Sequence, residues 1–292
     1  MTALKDIELA QVRRYFAEEI RAVCNLRTGA LVEALATVPR ERFLSPGPWK
    51  IRGIDAELGA PPHVTPDDDP RHVYHNVSIV IDLQRQLFNG QPGTLGMWID
   101  VLRLQSGERV LHIGCATGYY TALMAKIVGP SGRITAIEVD PELAARARAN
   151  LADAGFVDVR AGDAAAELPG SQDAILVNAG VTHPLPVWLD SLSIGGRLIL
   201  PITFTIEGMP DHIGKGCVFL IVREPDRYTA RFVSLVAIYS CTVARDAALN
   251  ARLQASMASR SLFMVRRLRR DDHEAGLACW LHGDGVCFST EA

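Results

Sequence analysis

The chain has 292 residues, 48% of them hydrophobic and 22% charged, with a formal net charge of −3. That length buries a sizeable core, and so small a charge leaves no electrostatic footprint for nucleic acid. No apolar run reaches the roughly 18 residues that span a bilayer, and Lys5, Asp6 and Glu8 interrupt any early leader pattern. No membrane partner and a cytoplasmic location are therefore expected.

Ile7, Leu9, Val12, Phe16, Ile20 and Val23 recur at helical spacing with charges between them, and a second helix over Thr28 to Thr37 stops at Pro39. From Leu44 to His72 six prolines and the triplet Asp67-Asp68-Asp69 read as a long loop, with His63, His72 and His75 in or beside it as surface histidines. Val77 to Leu83 is β-rich. It leads through Leu87-Phe88-Asn89-Gly90-Gln91-Pro92-Gly93 into a helix over Leu95 to Leu102.

The most informative stretch follows, Arg109 to Gly118, RVLHIGCATG. Val110, Leu111 and Ile113 form a short β-run that breaks at Gly114-Cys115-Ala116-Thr117-Gly118 and yields to a helical pattern through Ile127. Small residues in such a turn let the backbone approach a ligand, and the helix start offers unpaired N–H groups to it. The alternative is a tight strand-to-helix connection with no ligand. A second strand, Arg133 to Ile137, ends on Glu138, placed to accept both hydroxyls of a ribose. A nicotinamide dinucleotide and S-adenosyl-L-methionine both remain open at this point. The dinucleotide fingerprint wants a small residue where this chain has Tyr119 and a glycine at Ala116, whereas the second cofactor, lacking a pyrophosphate, tolerates both.

Pro141 to Ala154 reads as a helix, Val157 to Arg160 as a strand running to Gly162-Asp163-Ala164, and Asp173 to Val177 as a strand ending at Asn178. Gly216 to Arg223 and Tyr228 to Cys241 form a hairpin around Glu224-Pro225-Asp226, and a helix is expected from Asp246 to Leu262. Arg266-Arg267-Arg269-Arg270, followed by Asp271-Asp272, reads as a solvated helix face. Six scattered cysteines without CxxC spacing are read as reduced thiols. Cys279, His282 and Cys287, with His273 nearby, fit no common zinc spacing, so no metal is expected.

Residues 110–140, VLHIGCATGYYTALMAKIVGPSGRITAIEVD, resemble the first two motifs of class I S-adenosylmethionine-dependent methyltransferases, and within them the protein-L-isoaspartate O-methyltransferase family. The resemblance extends to Val38-Pro39-Arg40-Glu41-Arg42-Phe43, to Gly162-Asp163, to VNAGVTHPLPVWLDSL from Val177 to Leu192, and to Gly195-Gly196-Arg197-Leu198-Ile199-Leu200-Pro201. It implies a Rossmann-like α/β fold with a mostly parallel seven-stranded sheet and an antiparallel terminal hairpin. Residues 1–75 would form a helical cap, 76–241 the cofactor-binding domain and 242–292 a helical extension.

The implied cofactor contacts are Gly90, His112, Gly114, Cys115, Ala116, Gly118, Glu138, Val139, Asp163, Ala164 and Asn178, with Asp163 on the adenine amino group. Acceptor contacts are expected from Asn89, Gln91, Asn178 and His183. Two positions depart from the family pattern: Gly90 stands where the family has a serine that touches the acceptor carboxylate, and His112 where it has an acidic residue. The implied activity is methyl transfer to a carboxylate oxygen of a protein, peptide or small-molecule acceptor. Transfer to a different acceptor, and cofactor binding without transfer, are the alternatives.

Overall fold

Proline opens three of the helices, at Pro92, Pro141 and Pro186, and Gly118 and Gly129 bracket another. The computed structural model describes residues 2–53, 60–165, 168, 170–205 and 213–291. They divide into two compact units, each drawing on several stretches: Met1–Gly107, Cys115–Arg133 and Asp140–Val159 make the first, and Glu108–Gly114, Ile134–Val139 and Arg160–Ala292 the second. Of the three segments expected from the sequence, residues 1–75 fall in the first unit, 242–292 in the second, and 76–241 contribute to both.

The first unit contains α1 (Thr2–Cys24), α2 (Gly29–Thr37), β1 (Lys50–Arg52), β2 (His63–Val64), β3 (Ser78–Asp82), β4 (Leu87–Asn89), α3 (Pro92–Leu102), α4 (Tyr119–Val128) and α5 (Pro141–Asn150). Phe16, Ile20, Leu31, Leu35, Trp98, Ile99 and Leu123 are buried here. The Thr28 side chain does not cap α2. Instead the Asp100 carboxylate accepts from the backbone N–H of Arg27 and, at 2.8 Å, of Thr28, tying α3 to the start of α2. Helix α5 is capped locally, with Asp140 accepting from the Glu142 and Leu143 N–H groups and Pro141 preset for the first turn. The expected loop carries β1 and β2, which join a four-stranded antiparallel sheet in the order β2-β1-β3-β4. His63 and His75 are exposed, as expected, and His72 faces Asp67 at 2.8 Å.

The second unit is built from β5 (Arg109–Ile113), β6 (Arg133–Glu138), β7 (Val157–Ala161), which leads in from the first unit, β8 (Gln172–Val177), α6 (Pro186–Asp190), β9 (Leu192–Phe204), β10 (Ile213–Arg223), β11 (Tyr228–Tyr239), α7 (Ala247–Ser256), β12 (Arg267–Arg269), β13 (Cys279–Gly283) and β14 (Val286–Ser289). The strands form one sheet in the order β13-β14-β12-β11-β10-β9-β8-β5-β6-β7. Strands β5, β8 and β9 are parallel, and their continuous buried runs of Val, Leu and Ile suit strands covered on both faces. From β9 onward every pairing is antiparallel.

The sheet corrects two expectations. It has ten strands where seven were expected, and the last stretch is not a helical extension: beyond α7 and a 3-10 turn at Arg260–Met264 it supplies three strands. Asp284 and Gly285, the latter at φ +64°, close the β13–β14 hairpin between the paired Gly283 and Val286. The basic cluster is likewise strand and flank, with Arg269 paired to Asp271 and Arg270 to Asp190. Among the described residues no helix is long and apolar enough to cross a membrane.

Candidate functional site

In the second unit the carboxyl ends of β5, β6 and β8 are knitted by backbone bonds. Gly114 N–H donates to Ile137 O, and Asn178 N–H to Ile113 O, both at 2.8 Å. The Asn178 side chain then donates through Nδ2 to Gly114 O at 3.1 Å. Gly114 sits at φ +78°, and a Cβ there would lie 3.1 Å from the Asn178 carbonyl oxygen, so the strand end favours a glycine. Asn178 thereby shapes the turn itself.

Glu138, 7% exposed, ends β6, and its carbonyl accepts from Gly162 N–H at 2.9 Å, which holds the loop after β7 beside it. Val139 is 52% exposed, an apolar side chain left open next to a carboxylate. Asp163 is exposed, with Oδ1 accepting from Ala165 N–H. Ala164 is buried, and its carbonyl accepts from Trp188 Nε1 at 2.7 Å.

The chain continues from Gly114 into the first unit through Cys115, Ala116 at φ +49° and Gly118 at φ +96°. Gly118 begins α4 and, being glycine, offers its first turn no side-chain cap. A Cβ on Gly118 would stand 2.9 Å from Leu151 Cδ1. Asn150 Nδ2 donates to Thr117 O at 2.9 Å and fixes the turn from α5. Within the second unit, the carboxylate at the end of β6, the open apolar residue after it and the exposed aspartate after β7 suit the ribose and adenine parts of S-adenosyl-L-methionine.

His112 and Asn89 correct the sequence reading. His112 is 0% exposed inside β5, so no part of it reaches a ligand. Burial pushes its imidazole down to about 3, and it is neutral at physiological pH. Asn89 is 3% exposed, and its Oδ1 accepts from Arg40, which makes it framework where an acceptor contact was expected. Cys115 is also buried. Gln91 precedes α3, is half-buried, and its carboxamide has no hydrogen-bond partner among the described residues. His183 Nδ1 lies 2.9 Å from Thr182 Oγ1, and burial lowers its pKa, with Asp246 opposing and Arg245 adding to the shift.

Sequence reasoning quoted Arg40 within a motif but gave it no role. Its guanidinium is 0% exposed and donates to the carbonyls of Val73 (2.9 Å), His75 (3.1 Å), Val77 (2.8 Å) and Gly90 (3.1 Å) and to Asn89 Oδ1 (3.3 Å). The Tyr120 hydroxyl, from the first turn of α4, donates to the same Gly90 carbonyl. Arg40 and Tyr120 thus fix the Gly90 backbone from two sides, at the position that departs from the family pattern. A Cβ on Gly90 would meet Leu95 Cδ2 at 3.0 Å, so the Leu95 side chain would have to shift slightly to admit a serine.

The sheet order and the glycine turn between β5 and α4 define a class I methyltransferase fold. The family described as Protein-L-isoaspartate(D-aspartate) O-methyltransferase (PCMT) matches residues 63–237. A protein-L-isoaspartate O-methyltransferase of Aeropyrum pernix is 32% identical over 206 residues, 69% of this chain and 68% of its own length. Protein-L-isoaspartate O-methyltransferase 1 of Rhodopseudomonas palustris is 36% identical over 198 residues, 66% and 69% of the two chains. Among solved structures, a protein-L-isoaspartate O-methyltransferase shares the fold with a TM-score of 0.62 at 20% identity, covering 89% of this chain and 72% of its own. A Plasmodium falciparum PCMT structure, in complex with S-adenosyl-L-homocysteine, has a TM-score of 0.58 at 15% identity, covering 79% and 98%. The chain belongs to the PCMT family, and it is an S-adenosylmethionine-dependent methyltransferase.

Proposed function

We propose that this enzyme methylates a side-chain or main-chain carboxylate of the isoaspartyl type in a protein or peptide. The observation that carries the reading is the Gln91 carboxamide, half-buried and unbonded among the described residues, next to a Gly90 backbone held by Arg40 and Tyr120. It offers a neutral N–H donor where the family serine would offer a hydroxyl. A carboxylate, with a reference pKa near 4, is already ionised at neutral pH and asks for a donor that orients it, not a base that deprotonates it. The encased, neutral His112 supplies no such base.

When bound, S-adenosyl-L-methionine supplies the electrophilic methyl group on its sulfonium. Glu138 would accept the ribose hydroxyls, Asp163 the adenine amino group, and Val139 would cover the adenine face. The backbone from Gly114 through Cys115 and Ala116 to Gly118 would hold the methionine part, and Gly90 and Ala164 stand at positions that the family resemblance gives to the cofactor. Asn178 holds that turn, and His183 lies on the segment after β8, where it would border the acceptor. These residues orient the acceptor oxygen in line with the methyl group and exclude water. The six free cysteines suit a reducing compartment, in keeping with a cytoplasmic enzyme.

Transfer of labelled methyl to an isoaspartyl peptide, with the aspartyl peptide as control, tests the reading. Gln91→Ala should raise KM for the peptide and leave S-adenosyl-L-homocysteine affinity unchanged by calorimetry. Glu138→Ala should weaken that affinity by about 10- to 100-fold, the loss of hydrogen bonds to a charged group. Cofactor binding without turnover on the isoaspartyl peptide would overturn the substrate and favour another acceptor, a reading that the missing hydroxyl at Gly90 supports.

A further inference from the structure

The last hairpin of the second unit gathers side chains that the methyltransferase chemistry does not use. His273, Cys279, His282 and Cys287 each bring one ligand atom within 4.8 Å of all the others. We propose that these four residues bind a single zinc ion as a closed, structural Cys2His2 site. The sequence spacing argued against a metal because it fits no common pattern. Strand pairing supplies what the spacing does not.

His282 and Cys287 are direct cross-strand partners between β13 and β14, so their side chains share a face. Cys279 lies three residues before His282, an offset that in a regular strand would put it on the opposite face. The ladder shifts register between Cys279 and Leu281, and that irregularity turns Cys279 to the side of His282. His273 reaches in from the segment ahead of β13. Its Nε2 lies 3.7 Å from Cys279 Sγ, and its ring centroid 4.7 Å from that of His282.

The surroundings are those of ligands already oriented. His273 Nδ1 lies 2.9 Å from the Asp271 carbonyl, which only accepts, so Nδ1 carries the proton and Nε2 keeps its lone pair toward Cys279. Gly276 N–H donates to Cys279 Sγ at 3.4 Å, a bond that stabilises a thiolate. His282 Nδ1 is buried with no hydrogen-bond partner among the described residues. With zinc–sulfur bonds of about 2.3 Å and zinc–nitrogen bonds of about 2.0 Å, tetrahedral ligands stand roughly 3.3–3.8 Å apart, so closing around the ion requires shifts of no more than about 1 Å. Two thiolates and two neutral imidazoles cancel the ionic charge. Four protein ligands leave no open position, which makes the ion a clip between the 271–278 segment and the hairpin.

The test uses the full chain, purified without a histidine tag and under reducing conditions. Mass spectrometry of bound metal should find one zinc per chain after reconstitution with zinc and desalting. Cobalt replacement should give tetrahedral ligand-field bands with a thiolate charge-transfer band. Cys279→Ser and Cys287→Ser should abolish both, and Cys241→Ser should change neither. Because Cys287 is buried and its variant risks misfolding, His273→Gln carries the decisive comparison: circular dichroism unchanged, zinc affinity down at least tenfold. Less than a tenth of a zinc per chain in the reconstituted protein would overturn the site. A Cys279–Cys287 disulfide that persists under reduction would overturn it as well, as would a cobalt spectrum indifferent to the two serine variants. None of these readouts depends on methyl transfer.

Discussion

Arg40 carries a charge into a fully buried position and surrounds it with oxygen acceptors that carry none. Such a group is tolerated because its two terminal nitrogens are satisfied, although Nε has no partner among the described residues, and removing it strands acceptors from 73 to 90 at once. Arg40→Met should therefore cost about 3–5 kcal/mol in urea unfolding, and Arg40→Lys should recover only part of that, since an ammonium lacks the planar fork that reaches both groups of carbonyls. A Met variant within 1 kcal/mol of wild type, on the order of experimental scatter, would mean water takes over the role. His112 makes the opposite kind of prediction. Its pKa is about 3 folded against 6.5 as the ordinary value, so the unfolded chain binds the extra proton between those limits. Its contribution is complete above pH 6.5 and is lost as pH falls toward 3, at up to about 1.4 kcal/mol per pH unit. The stability difference between wild type and His112→Gln should shrink with that slope below pH 6.5. A difference that stays level with pH would contradict the burial.

At the scale of elements, the β5–α4 turn places two residues with positive φ under different constraints. Gly118 at φ +96° has Leu151 Cδ1 2.9 Å from where a Cβ would stand, whereas Ala116 already accepts φ +49° with a side chain. Gly118→Ala should lose about 1–2 kcal/mol to backbone strain, with more for the contact, and weaken S-adenosyl-L-homocysteine binding; Ala116→Gly should gain up to about 1 kcal/mol. Thermal melts with and without the ligand separate the two signs. This turn was legible in the sequence because a buried β-run, small breakers and an amphipathic helix succeed one another within a short window. Strands β6 and β8 were legible from the same kind of apolar run. Strands β1 and β2, of three and two residues, offer no period to read. The β13–β14 hairpin did carry a signal, Asp284-Gly285 between apolar runs, that the helical reading of the last stretch passed over. Arg40 was not legible in role, because its acceptors are backbone carbonyls 33 to 50 positions away and a sequence does not say where a carbonyl points.

For the molecule as a whole, the extent of the family match and the extent of the core differ. The match ends at 237, yet Trp280, Leu281, Val286 and Phe288 belong to the same buried cluster as Phe219, Ile221 and Ala230 of β10 and β11. Phe288 stacks on Phe219 with ring centroids 4.8 Å apart, and Trp280 meets Phe219 edge-on at 5.4 Å. The last strands therefore complete the second unit's core and do not hang from it as an appendage. Phe288→Ala should cost about 3–5 kcal/mol, because the cavity opens in a packed sheet interior. Its cooperative reach is the sharper test. Hydrogen exchange should quicken by roughly two orders of magnitude or more across β10 and β11 as well as across β12 to β14, since strands sharing one core open together. If only the amides of β12 to β14 quicken, while β10 and β11 keep wild-type protection, the extension unfolds by itself and the shared core contributes little to the stability of the family fold.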